Sequence, residues 1–164
     1  MKGGKPNLLA RLHGYNAAAR FSPWLVLIDL DRDEDCAPAF VARYLPERAT
    51  GMHLRVAVRQ VESWLMADAE WLSAFLSIPQ SRFPDDPDAC EDAEREMVVL
   101  AGRSRRRLVR DEMVPRPRSG RSVGPAYSSR LIEFVNTRWQ PDDAATRSES
   151  LRRCLERLRE LARA

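Results

Sequence analysis

The fold of this chain is decided by residues 24–35, which read WLVLIDLDRDED. A continuous apolar run opens this stretch, and such a run is typical of a strand that is covered on both faces in a parallel sheet. Side chains alternate along a strand, so Asp29, Asp31 and, where the strand continues, Asp33 are predicted to project in the same direction. The sequence therefore predicts a strand that brings carboxylates to one point, as a hard cation requires.

Helices and a second strand are predicted around this stretch. Apolar residues recur at helical spacing over 7–20, and Asp35 or a neighbouring residue is expected to cap a helix that ends at Tyr44. Residues 52–59 alternate as a strand does, and residues 61–77 have the apolar spacing of one long amphipathic helix with Asp68 on its solvated face. This alternation predicts an α/β fold with a partly parallel sheet of few strands.

The second half of the chain is predicted to be mainly helical. Asp88 and Glu91 have the spacing of a capping box for a helix that reaches about Ala101. The prediction continues with a helix over 104–113, a Pro-rich and Gly-rich loop over 114–125, a helix from Ser128 or Ser129 to Trp139, and a last helix that begins at Ser148. We predict one domain over 1–164, with an α/β part at 1–77 and a helical part at 78–164.

Composition predicts a cytoplasmic protein. No apolar run is long enough to span a membrane, and the polar segment 1–7 lacks the core of a signal peptide. The three cysteines are far apart and form no CxxC motif, which favours reduced thiols over a disulfide framework or a zinc site. The formal net charge of +3 indicates no particular partner, and the oligomeric state is left open.

The distribution of charge is more informative than its sum. Residues 85–96 hold seven acids and one arginine, whereas residues 103–130 hold nine arginines and two acids. Arginine forks match the geometry of phosphate, so a cluster of four arginines is a candidate site for a nucleic acid or a nucleotide: Arg103, Arg105, Arg106 and Arg107. The alternative is that these arginines pair with the acidic segment that precedes them.

A catalytic site is predicted to use carboxylates rather than histidines, because the only two histidines are far apart in the sequence. Ligands of open α/β sheets bind beyond the carboxyl ends of the strands, where Asp29 and Asp31 fall. Arg59 and Glu62 follow the second strand. For Glu62 the alternatives are a third carboxylate at the site or a favourable charge in a first helical turn, and for Arg59 they are phosphate binding or pairing with an aspartate.

Several motifs in this order resemble an uncharacterised bacterial family of Toprim-like proteins. They are the DLD of residues 29–31 after an apolar strand, VRQVESW at 58–64, SRRR at 104–107 and GPAY at 124–127. The resemblance implies a Toprim-like α/β sheet with a magnesium site, in which an early-strand glutamate acts as acid and base and a later DxD binds the metal. Asp29 and Asp31 match that DxD.

One departure from the family pattern concerns the early glutamate, because no acid precedes Asp29 in this sequence. Two explanations are open: the true gene start lies upstream of Met1, so that a βαβ segment with this glutamate is missing, or this branch is a shortened, non-catalytic version. Glu62 is the candidate substitute.

We therefore expect a Toprim-like protein that binds Mg²⁺ or Mn²⁺ through Asp29 and Asp31 and acts on phosphodiester or nucleotide substrates. Glu62 and Arg59 are its candidate catalytic residues. The alternative is a non-catalytic binding or adaptor module, for instance the partner of an ATPase in a bacterial defence system. The third hypothesis is a phosphatase of the DxD type.

Overall fold

A computed structural model describes residues 4–163 of the chain. Residues 1–3, which begin the segment predicted to lack a signal-peptide core, lie outside this range. The chain divides into two compact units, Met1–Arg59 and Gln60–Ala164. The first unit contains a small parallel sheet and the second is helical, so the fold is mixed α/β with helix predominating.

The first unit is built on a two-stranded parallel sheet. Its elements are α1 (Gly4–Ala18), β1 (Trp24–Asp29), α2 (Ala37–Tyr44) and β2 (Met52–Ala57). The strands pair in register from Trp24 opposite Met52 to Asp29 opposite Ala57. α1 packs against β1 and α2 against β2. The core of this unit includes the buried residues Leu12, Val26, Ile28, Phe40 and Leu54.

The predicted coverage of β1 on both faces is wrong. Val26 and Ile28 point into the core, but Leu25 and Leu27 on the opposite face are 51% and 43% exposed. The continuous apolar run therefore fits a half-buried strand as well as a buried one, because the sequence does not indicate how many layers cover the sheet.

The second unit consists of short helices around one apolar cluster. Its elements are α3 (Val61–Ala67), α4 (Ala69–Leu76), 3₁₀ turns at Gln80–Arg82 and Pro87–Ala89, α5 (Ala93–Gly102), α6 (Arg107–Met113), α7 (Tyr127–Thr137), α8 (Pro141–Ala144) and α9 (Glu149–Leu161). Buried residues of its core include Leu72, Met97, Leu100, Met113 and Phe134. Within residues 4–163, no helix combines the length and the apolar character needed to cross a lipid bilayer.

The predicted long helix over 61–77 is two helices, α3 and α4, which meet at Asp68. Asp68 is 3% exposed, so its predicted place on the solvated face is wrong. Its carboxylate accepts a hydrogen bond from the Trp71 N–H at 3.3 Å and another from the Gln140 N–H at 2.8 Å. The break therefore exists because a buried carboxylate caps the second helix and also binds the chain before α8.

Helix capping in the acidic segment also differs from the prediction. Asp92 caps α5 by accepting from the Arg95 N–H at 2.9 Å, so the predicted capping box at Asp88 is wrong. Asp88 instead accepts from the Ser148 hydroxyl at 2.8 Å and from the Ser150 N–H at 3.0 Å. This acid therefore fixes the start of α9, where the predicted Ser148 cap is confirmed by its bond from the Leu151 N–H.

The remaining predictions of helix extent are partly confirmed. The predicted helix over 104–113 begins only at Arg107, and α7 begins after Ala126 without a side-chain cap. The predicted boundary between the α/β part and the helical part, after residue 77, stays a prediction; the compact units divide after Arg59.

Candidate functional site

The acidic turn after β1 is the candidate site in the first unit. β1 ends at Asp29, which is partly buried. Beyond it the chain forms two more backbone hydrogen bonds, from the Leu30 N–H to the Ala57 carbonyl at 2.9 Å and from the Asp31 N–H to the Arg59 carbonyl at 2.8 Å. Asp31 has a φ of 51°, in the left-handed region that aspartate tolerates better than most residues. The turn therefore begins at Asp31, and the side chains of Asp31 and Asp33 are placed by the turn rather than by strand alternation.

Lys5 brings an ammonium group to this turn from α1. Its Nζ lies 2.9 Å from Asp31 Oδ2, 2.7 Å from Asp33 Oδ2 and 3.1 Å from the Leu30 carbonyl oxygen. It also lies 5.3 Å from the centre of the Phe40 ring, within the range of a cation–π contact. Three oxygen atoms thus converge on one cationic position.

The electrostatics of Lys5 favour its charged form. Burial lowers the pKa of the ammonium, but the bonds to Asp33 and Asp31 outweigh burial and raise the pKa above its ordinary value. Lys5 is therefore protonated at neutral pH and serves as the counter-ion of the two carboxylates. Asp31 and Asp33 would repel each other without it.

Arg59 contacts the main chain of the same turn through both its side chain and its own carbonyl group. Its Nη1 donates to the Asp31 carbonyl oxygen at 3.0 Å, and its own carbonyl accepts from the Asp31 N–H. This reciprocal pair positions the turn that carries Asp31. This contact is made to the main chain of Asp31 and not to its carboxylate, so phosphate binding by Arg59 and its pairing with an aspartate both stay predictions.

The donor atoms at this turn have the chemistry that Mg²⁺ prefers, since all are carboxylate or carbonyl oxygens. Mg²⁺ is commonly bound by one or two protein carboxylates together with water and substrate phosphate. Among residues 4–163 there is no group of three or more His, Cys, Asp or Glu side chains placed to hold a metal ion. The turn therefore supplies two carboxylates and one carbonyl oxygen, and the Lys5 ammonium occupies the position between them.

Glu62 belongs to the second unit, in the first turn of α3. Tyr127 Oη donates to its Oε1 at 3.2 Å. Burial raises the pKa of the Tyr127 phenol, and the negative charge of Glu62 raises it further. Tyr127 therefore remains protonated and donates to Glu62, and the predicted catalytic role of Glu62 stays a prediction.

The four predicted phosphate-binding arginines lie at the junction of α5 and α6, and all are exposed: Arg103, Arg105, Arg106 and Arg107. Arg107 pairs with Asp111 on its own helix at 3.3 Å. In the described part of the chain, none of the four guanidinium groups forms an ion pair with the acidic segment over 85–96. The predicted alternative of pairing with that segment is therefore wrong, and phosphate binding by these arginines stays a prediction.

Sequence reasoning missed Lys5 and the buried role of Asp68. Lys5 is one of only two lysines among 27 basic residues, and it lies on the helix that precedes the acidic strand, which is a weak signal of its use there. Asp68 gave no such signal, because it fits the helical spacing around it.

Comparisons with known proteins found no match: no family model matches the chain, nor does any curated protein or solved structure.

Proposed function

We propose that this chain is a Toprim-like protein that binds Mg²⁺ or Mn²⁺ at the acidic turn after β1 and acts on phosphodiester or nucleotide substrates. The observation that carries the proposal is the convergence of Asp31, Asp33 and the Leu30 carbonyl on one cationic position. A second support is the parallel β–α–β unit, because ligands of such sheets bind at the carboxyl ends of the strands.

In this proposal Asp29 and Asp31 are the metal ligands that the sequence predicts, and Asp33 is added as a third because its carboxylate meets Lys5 beside that of Asp31. Bound metal would supply charge stabilisation for a phosphoryl oxygen and a more acidic water. Arg59 fixes the Asp31 turn through the main chain, and Lys5 holds the carboxylates together until a cation displaces its ammonium. The arginines at 103, 105, 106 and 107, in the second unit, are proposed separately to neutralise phosphate charge.

Calorimetric titration with MgCl₂ or MnCl₂ tests the metal site, with wild type compared with Lys5→Met and Asp31→Asn. Lys5→Met should bind the ion about 10- to 100-fold more tightly, since a hydrogen bond to a charged group contributes about 1.5–3 kcal/mol and no longer has to be displaced. Asp31→Asn should lose binding. Asp35→Asn is the matched control, because Asp35 is an exposed carboxylate of the same loop and is not among the acids that hold Lys5.

The absence of metal-dependent heat in both wild type and Lys5→Met would refute the metal site. Nicking of supercoiled plasmid then tests the reaction, and we expect cleavage that requires the divalent ion and is lost in Asp31→Asn. If the protein binds the metal but neither cleaves plasmid nor hydrolyses nucleotides, the metal site is supported and the proposed activity is refuted.

The second candidate is a non-catalytic binding or adaptor module, for instance the partner of an ATPase. Two observations favour it: acids of this unit form ion pairs, as Glu34 does with Arg43 at 2.7 Å, and the sheet exposes Leu25 and Leu27. In an adaptor, Lys5→Met would lower thermal stability and divalent ions would not restore it. In the metal-binding protein, the same variant would be restabilised by Mg²⁺.

A further inference from the structure

A groove on the second unit combines apolar and cationic side chains. It has a volume of about 390 Å³ and lies among α4, α6 and α7. Trp71 and Phe75 line it from α4, and Leu108 lines it from α6. Trp71 is 37% exposed and Leu108 is 58% exposed, so both offer apolar surface to a ligand. The volume falls within the range of small-ligand sites, about 300–1,000 Å³.

The floor of this groove is held rigidly. The Phe75 ring packs against Phe134 with the ring centres 5.4 Å apart, and Phe134 is fully buried. Trp71 is anchored at its main chain, because its N–H donates to the buried Asp68 carboxylate. The Phe75 ring, which is held against Phe134, loses little conformational entropy when a ligand packs against it.

Three arginines line the same groove. Arg130 is neutralised by Glu112 and by Glu133, the second of which also lines the groove. Arg106 and Arg138 are exposed, and neither guanidinium has a hydrogen-bond or ion-pair partner among residues 4–163. The groove therefore presents two uncompensated positive charges beside an exposed indole.

We propose that this groove binds an unpaired nucleotide, with its base on Trp71 and its phosphate on Arg106 and Arg138. Base–aromatic stacking combined with a basic surface is the usual means of binding single-stranded nucleic acid. Arg106 also belongs to the arginine cluster at 103–107, which provides charge for the phosphates of neighbouring nucleotides. The proposal rests on the proposed function only in taking a phosphate-bearing ligand, and it requires no metal.

Fluorescence anisotropy with a labelled single-stranded dT₁₂ oligonucleotide, in EDTA and low salt, tests the proposal. Trp71→Leu should weaken binding by about 5- to 150-fold, as expected for the loss of one stacked base, and Trp71→Phe should largely retain it. Arg138→Gln should lower the slope of log affinity against log salt by about 0.7, the value for one phosphate contact on a single strand. Arg95→Gln is the matched control, since Arg95 is exposed on α5 and does not line the groove.

Competition experiments identify the source of the nucleotide. Displacement of dT₁₂ by AMP, with the same sensitivity to Trp71→Leu, supports a free nucleotide as the ligand; resistance to AMP supports a strand. Base recognition would be refuted if the protein bound a duplex as tightly as dT₁₂. It would also be refuted if polyglutamate displaced labelled dT₁₂ as effectively as unlabelled dT₁₂ does. The proposal is also overturned when wild type fails to bind both dT₁₂ and AMP, or when Trp71→Leu and Arg138→Gln, folded as judged by circular dichroism, bind dT₁₂ as wild type does. Because EDTA is present throughout, failure of the metal site would leave these results unchanged.

Discussion

Asp68→Ala should destabilise the second unit by about 2–3 kcal/mol. The change removes the cap of α4, which contributes about 1 kcal/mol. It also removes the acceptor of the Gln140 N–H, which lies 2.8 Å from the carboxylate. The loss of a partly buried hydrogen bond to a charged group adds about 1–2 kcal/mol. For a chain of this length we expect a fall of about 4–12 °C in the melting temperature.

Thermal unfolding followed by circular dichroism measures this change, with Asp92→Ala as the matched control. Asp92 caps α5 through one N–H but is exposed and makes no bond to a distant segment. We expect its removal to cost about 0.5–1 kcal/mol. Equal losses for the two variants would show that burial of Asp68 and its bond to Gln140 contribute nothing to stability.

The pH dependence of the free energy of unfolding gives a second test of Asp68. Burial raises the pKa of Asp68 above the ordinary value of 3.8, although the N–H donors of Gln140 and Trp71 lower it. The folded protein therefore binds a proton more tightly than the unfolded chain does, and the free energy of unfolding should fall as pH rises from about 3.8 through the raised pKa. Asp68→Asn should remove this contribution to the pH dependence of the free energy of unfolding. If Asp68→Asn and wild type show the same pH dependence, the raised pKa of Asp68 is contradicted.

Two further substitutions test contacts of the second unit. Gly124→Ala should cost about 1–3 kcal/mol in chemical denaturation, since an added Cβ would lie 2.3 Å from the Glu112 carbonyl oxygen and the main chain would have to move; Gly14→Ala, which has open space around it, is the control. Asp88→Ala should speed amide hydrogen exchange in the first turn of α9, because the Ser150 N–H loses its acceptor. Unchanged exchange there would show that the Ser148 cap alone fixes this helix.

Local signals in the sequence predicted the local structure well. The alternation at 52–59 predicts β2 and the Ser148 cap predicts the start of α9, because each depends on residues adjacent in the chain. The two strands were also correctly predicted to be parallel, since a helical segment lies between them. These elements needed no information about distant contacts.

Distant contacts account for what the sequence did not predict. Lys5 meets Asp31 across 26 positions and Gln140 meets Asp68 across 72, so neither pairing leaves a periodic pattern. The exposure of Leu25 and Leu27 depends on how many layers cover the sheet, which an apolar run does not encode. The sequence therefore predicts carboxylates at this strand end but not the Lys5 ammonium that lies between Asp31 and Asp33, and the role of Asp29 and Asp31 as metal ligands stays a prediction.

In the proposed metal site, Lys5 competes with the metal ion for the turn after β1, and it is part of the same chain as the turn. Because Lys5 lies on the same chain as Asp31 and Asp33, its effective concentration at the turn is fixed by the fold, and it is unaffected by protein dilution or dialysis. In the proposed metal-binding protein, a mobile cation would bind the turn only at an activity high enough to displace the Lys5 ammonium. Because Lys5 already balances the charge of the two carboxylates, we expect the turn to fold without a bound ion.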